Sequence, residues 1–216
     1  MENQISKQQN QQQKNLQQSL KPMLLQTAKE PFDREGWLYE LKLDGLRCLA
    51  HIDGTTLISR HEKNLSNIFP EVQLHSAVKT SVVLDGELIV LANGVPDFYA
   101  LRRRSLMKND FKIKLASKEN PVTFVAFDIL YLNNENLCDK PLYERKKILS
   151  KTVKENDFIS ISRFIETNGN ALFDTAVKNH LEGVIAKRAD SIYRPGKRTS
   201  DWLKFINPKF PETRKL

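Results

Sequence analysis

Two apolar runs constrain this chain most: Val82–Leu91, closed by Asn93-Gly94 and Pro96, and Phe124–Leu132, closed by Asn133-Asn134-Glu135. Both are rich in β-branched and aromatic residues and bounded by turn formers, so both predict strands. The first is interrupted by Asp85 and Glu87. Alternate strand side chains share a face, so the two carboxylates point the same way. A carboxylate in a half-buried strand costs free energy unless it meets a cation, a metal or a ligand hydroxyl.

The remaining pattern places these strands among others. Trp37–Leu43 and Leu46–Ile52 predict strands, and Asp53-Gly54 predicts a hairpin into Thr55–Ser59. Gly183–Arg188 and Trp202–Ile206 predict late strands. Helices are expected over Asp97–Met107, Leu142–Thr152 and Asn168–His180. Hairpins mixed with separate helices predict an α+β fold with antiparallel sheets. Residues 1–20 form a Gln-rich tail, residues 21–207 the folded domain, and residues 208–216 a short C-terminal tail.

Composition narrows the function. The 216 residues carry a net charge of +8, concentrated in two blocks. Leu101–Leu115 holds six Lys or Arg against one Asp, and the stretch from Lys187 onward holds nine against three acids. Such blocks on an otherwise mildly acidic chain point to a polyanion partner, with Arg102, Arg103, Arg104, Lys197 and Arg198 as candidate contacts. No apolar run approaches a membrane span, and no signal peptide is evident. Cys48, Cys138 and four scattered histidines show no zinc spacing, so the cysteines are expected as free thiols.

The chemistry concentrates in Glu40-Leu-Lys42-Leu-Asp44-Gly45-Leu-Arg47. On an extended strand Glu40, Lys42 and Asp44 share one face, with Leu41 and Leu43 turned to the core. By itself this pattern is more often a solvated ladder than a catalytic lysine. Asp85-Gly86-Glu87, Glu182-Gly183-Val-Ile-Ala-Lys187 and Ser200-Asp201-Trp202-Leu203-Lys204 repeat the theme of acids and lysines bracketing strands.

Together these residues resemble, in order, six motifs of the covalent nucleotidyltransferases: DNA ligases, RNA ligases and mRNA capping enzymes. Lys42-x-Asp44-Gly45-x-Arg47 resembles the nucleophile motif, and Ser59-Arg60 the one that follows it. Asp85-Gly86-Glu87, Phe124-x-x-Phe127-Asp128 and Glu182-Gly183-Val-Ile-x-Lys187 resemble the next three, and Trp202-Leu-Lys204 the start of the last. The wider text is most similar to the ligase module of bacterial end-joining ligases, a member of the ATP-dependent DNA ligase family.

That resemblance implies two antiparallel sheets with flanking helices around a nucleotide cleft, an ATP-grasp-like arrangement. It implies that Lys42 takes up AMP from ATP, aided by Mg²⁺ or Mn²⁺, and passes it to the 5′-phosphate of nicked double-stranded DNA. Glu40 is then expected near the adenine edge, Phe127 on the ring and Glu87 at the ribose. Arg47 and Arg60 are expected at the ribose or 5′-phosphate, Lys187 and Lys204 at the phosphates, and Glu182 with Asp44 at the metal. Gly45 and Gly86 are expected to admit backbone close to the ligand. The resemblance further implies a monomeric, cytoplasmic, nucleoid-associated bacterial protein, with a separate OB-fold or Ku-like protein as a possible partner. A free lysine has a pKa of about 10.4, so presenting a neutral amine near pH 7.5 costs about 4 kcal/mol, which nearby cations and burial reduce.

Two departures accompany the match. The last motif normally ends Lys-x-Lys, but Ile206 stands where its second lysine belongs. No OB-fold is expected in the ten residues that follow. RNA ligation, capping-type transfer, and a degenerate ligase acting as a nucleic-acid-binding subunit are the alternatives.

Overall fold

Strand β5 (Val82–Ala92) is the axis of the fold. It is buried from end to end apart from Glu87 and its last two residues, because neighbours flank it on both sides. On one side lies β3 (Leu46–His51), which in turn pairs with β4 (Thr56–Ser59). On the other lies β7 (Val122–Leu132). The hairpin strand β6 (Val95–Pro96) pairs with β5, while β8 (Glu135–Asn136) and β9 (Ile159–Ile161) pair with β7, completing seven strands. A second sheet runs β1 (Leu24–Thr27), β12 (Arg198–Ile206), β11 (Gly183–Arg188), β2 (Trp37–Leu41) and β10 (Phe164–Ile165). This computed structural model describes residues 20–52 and 56–211; residues 1–19, residues 53–55, on which the expected Asp53-Gly54 hairpin falls, and residues 212–216 lie outside the described residues.

Four helices flank the sheets among the described residues: α1 (Phe98–Ser105), α2 (Asp110–Glu119), α3 (Leu142–Thr152) and α4 (Gly169–Lys178). The α+β class is as the pattern predicts, and the two sheets are as the resemblance implies. Two pairings are parallel, β1 with β12 and β7 with β9. A parallel pair needs a crossover, and α3 lies in the connection between β7 and β9. Helix α2 has no counterpart in the sequence pattern. It buries only Ile113 and Ala116 and leaves Phe111 and Leu115 exposed, so its apolar residues do not mark an inner face. Its one signal is Asn109, whose side chain accepts from Lys112 N at 3.0 Å as an N-cap.

The sheets meet over a shared core. Leu38 of β2 and Trp202 of β12 pack with Val83 of β5 and with Phe127 and Leu130 of β7. Leu20, which the composition assigns to the tail, packs against this cluster as well. Burial favours pairing of charges, and two such pairs fasten helices inside the fold. Arg145 on α3 grips Asp128 on β7 through two 2.8 Å hydrogen bonds, with both side chains fully buried. Arg104 on α1 pairs with Glu71 at 2.8 Å and also donates to the carbonyls of Ile68, Ala116 and Asn120.

Candidate active site

Strand β2 ends at Leu41, so Lys42, Leu43 and Asp44 lie outside both strands, in the connection to β3. The connection is held by Lys42 N–H donating to the Gly183 carbonyl at 2.9 Å. It carries Lys42 into a cleft of about 570 Å³ between the sheets. Leu41 and Leu43 line that cleft too, and Leu41 is 37% exposed, so neither is turned to the core as alternation predicts. A Cβ on Gly45 would strike the Leu88 carbonyl and the Glu87 side chain; on Gly86 it would strike the Phe124 ring. The protein's own packing fills the space those glycines leave, and Gly45 also lines the cleft.

All ten residues expected around the nucleotide and metal lie on the walls of this cleft: Glu40, Lys42, Asp44, Arg47, Arg60, Glu87, Phe127, Glu182, Lys187 and Lys204. They come from β2, β3, β5, β7, β11, β12 and the turns between them. Lys42 Nζ sits 2.7 Å from Glu182 Oε1, with both side chains 18% exposed. Arg47 donates from Nε and Nη2 to Asp85 at 3.1 and 2.7 Å, and its guanidinium lies 5.2 Å from the Phe127 ring centre. Asp85 is fully buried and also accepts from Tyr193 Oη at 2.6 Å, so Arg47 is anchored from behind. The Asp85 carboxylate thus has its cation within the protein.

Glu40 is 2% exposed. Lys187 Nζ donates to both its oxygens at 3.1 and 3.0 Å, Ser162 Oγ donates at 3.1 Å, and Lys146 Nζ lies 2.6 Å from Oε1. Lys187 also rests 4.4 Å from the ring centres of Phe127 and Trp202. Burial pushes the Lys187 ammonium down to about 8, with Glu40 and Asp128 opposing and Lys146 assisting. Glu87 is pushed up to about 8, chiefly by burial against the pull of Lys42 and Arg47. Burial likewise pushes Cys138 up to about 12, and both cysteines are free and buried, which leaves them unreactive.

The basic residues divide. Arg102, Arg103, Lys197 and Arg198 are exposed, and Arg198 reaches the cleft edge. Arg104 is 2% exposed and engaged with Glu71 and three carbonyls, so it cannot reach a nucleic acid; that expectation is corrected. Lys146, Tyr193 and the Asp128–Arg145 pair support the site, although the sequence pattern does not single them out as site residues. Lys146 sits in Glu144-Arg-Lys-Lys147, a charge run that by itself reads as a solvated helix face.

A nucleotide-sized cleft that gathers Lys42, the four further cations Arg47, Arg60, Lys187 and Lys204, and several carboxylates at a sheet junction suits nucleotidyl-transfer chemistry. The sequence profile of the ATP dependent DNA ligase domain matches residues 15–205, and the chain belongs to that family. It is 36% identical over 194 residues to the SPbeta prophage-derived DNA ligase-like protein LigB of Bacillus subtilis, covering 88% of this chain and 68% of that one. It is 32% identical to the bifunctional non-homologous end joining protein LigD of the same organism, covering 88% of this chain and 34% of that one. Among solved structures it is similar to mycobacterial DNA ligase D complexed with ATP and MES, with a TM-score of 0.73, 29% identity, and coverage of 88% of this chain and 60% of that one. The chain thus spans about a third of the length of LigD.

Proposed function

We propose that this chain is the adenylating module of a DNA-sealing enzyme and that Lys42 is its nucleophile. The observation that carries the proposal is the position of Lys42: a lysine in the connection from β2 to β3, presented into a cleft whose walls also supply Glu87, Phe127, Lys187 and Lys204. In the reaction the Lys42 nitrogen forms a bond to the α-phosphorus of ATP. The bond from that phosphorus to the bridging oxygen breaks, pyrophosphate leaves, and the nitrogen gives up its protons to solvent or a neighbouring base. Glu182 holds Lys42 before the reaction, so nucleotide entry has to loosen that 2.7 Å pair. Phe127 offers a ring for the base and Glu87 a carboxyl for the sugar. Lys204 offers a cation for the phosphates, and Arg60 one for the ribose or the 5′-phosphate.

Glu182 and Asp44 fit a magnesium or manganese ion of the kind completed by substrate phosphates: both line the cleft beside Lys42, and no cluster of three protein ligands occurs among the described residues. Such an ion supplies charge neutralisation on the polyphosphate. Nicked duplex DNA is the proposed acceptor of AMP, supported by the exposed Arg102, Arg103, Lys197 and Arg198 and by the names of the relatives. Incubation with labelled ATP and Mg²⁺, followed by denaturing electrophoresis, should label the wild-type chain and leave Lys42→Ala unlabelled. A label that survives the substitution removes Lys42 from this role, and preferential labelling by GTP would point to capping-type transfer.

A further inference from the structure

Beneath the cleft, one carboxylate carries two lysines. Glu40, Lys146 and Lys187 have side-chain exposures of 2%, 4% and 1%. Two cations on one anion leave a surplus positive charge out of contact with water, a costly arrangement unless a further anion joins it. Among the described residues no further ion pair to Lys146 or Lys187 is formed at this spot. Asp128 on β7, the next acid that Lys187 senses, is held by Arg145 at 2.8 Å through both oxygens. The aromatic rings beside the lysines, Phe127 and Trp202 for Lys187 and Phe164 for Lys146, offer only their faces.

The two lysines are not equivalent in position. Lys187 forms part of the cleft wall, whereas Lys146 comes from α3 and lies off the cleft. Lys187 makes hydrogen bonds to both Glu40 oxygens, whereas the shortest contact of Lys146 is the 2.6 Å approach to Oε1. We infer that Lys146 is the resident counter-ion of Glu40, a positioning residue whose charge lets Lys187 turn away from Glu40 and meet the phosphates of an incoming nucleotide. The inference rests on the nucleotide reading above. Without Lys146, Glu40 and Lys187 form a balanced buried pair. Turning Lys187 outward would then strand a bare carboxylate, a far less favourable move.

Charge also sets the pH at which Lys187 can serve. It faces Glu40 on β2, Lys146 on α3 and Asp128 on β7, and Lys146 is the one that drives its proton off. Removing Lys146 therefore raises the pH at which Lys187 deprotonates while weakening nucleotide binding below that pH. A merely structural Lys146 would produce no such opposed pair of effects.

The test is ATP titration calorimetry from pH 6.5 to 9.5 in a Lys42→Ala background, where binding proceeds without chemistry. With Lys146 present, affinity should fall as pH rises through about 8. K146M should bind ATP about tenfold more weakly at pH 7, the scale of one charge-assisted hydrogen bond. Its alkaline fall should move to higher pH, with little change in melting temperature, since the Met stem fills the same space. K146R keeps the charge and should restore both affinity and pH midpoint. K146M with unaltered affinity and midpoint, or a folded K146R that behaves like K146M, overturns the inference. No ATP binding at any pH by the parent protein would instead sink the nucleotide reading itself. Failure of the otherwise wild-type chain to form a Lys42 adduct would bear on the reaction alone.

Discussion

Glu87 and Lys187 show how burial reshapes single residues here. Glu87 rises from 4.5 to about 8 and Lys187 falls from 10.5 to about 8, so both titrate in one narrow range at the cleft. The linkage runs in opposite directions. Between pH 4.5 and 8 folded Glu87 keeps a proton that the unfolded chain releases, so its contribution to stability declines as pH rises. Between about pH 8 and 10.5 the unfolded chain binds a proton at Lys187 that the folded one lacks, so that contribution grows with pH. Glu87→Gln should therefore leave the melting temperature near pH 4.5 almost unchanged and raise it increasingly up to pH 8. A uniform shift across that range would mean Glu87 is not held protonated. Both residues were legible in the sequence because a charge interrupting an apolar strand demands a reason. Lys146 was not, because nothing local distinguishes it from Lys147; only the packing of α3 over β7 brings it to Glu40.

At the scale of elements, strands and most helices were legible because their burial follows their periodicity. Leu142–Thr152 and Gly183–Arg188 fall where the pattern places them. Helix α2 escaped because its exposed face is as apolar as its buried one. The basic block across α1 and α2 was legible as charge but not as orientation. Arg104 turns inward on α1 to Glu71, while Arg102 and Arg103 remain exposed. The two classes should separate in experiment. Replacing Arg102 and Arg103 together by Ala should leave the melting temperature nearly unaltered. It should also reduce the slope of log duplex affinity against log salt by roughly 2, one for each phosphate that is no longer neutralised. Arg104→Ala should act on folding, costing about 3–5 kcal/mol by leaving Glu71 buried without its cation. An Arg102/Arg103 variant with the parent's salt slope would make this helix face a solvated surface with no part in binding.

Taken whole, the molecule is two sheets joined along one seam of core and open along the other as the cleft. Lys42, Glu182 and Lys204 stand on the side of the β2–β11–β12 sheet, and Arg47, Glu87 and Phe127 on the side of the β3–β5–β7 sheet. A nucleotide held by both sides adds a second tie between them, so its binding should register as stability of the entire domain. At 100 times its dissociation constant a ligand contributes about 2.7 kcal/mol. For a domain of this size that is roughly 5–10 °C in melting temperature. The proposed lysyl-AMP bond adds a feature that reversible binding lacks. Wild-type protein incubated with ATP and Mg²⁺ and then desalted should keep part of its shift, because the AMP can no longer dissociate; added pyrophosphate and Mg²⁺ should abolish the remainder by reversing the bond. Lys42→Ala should show a shift while ATP is present and none after desalting. Should wild type also lose the whole shift on desalting, the cleft binds nucleotide without capturing it, and the role assigned to Lys42 fails although the fold and its family stand.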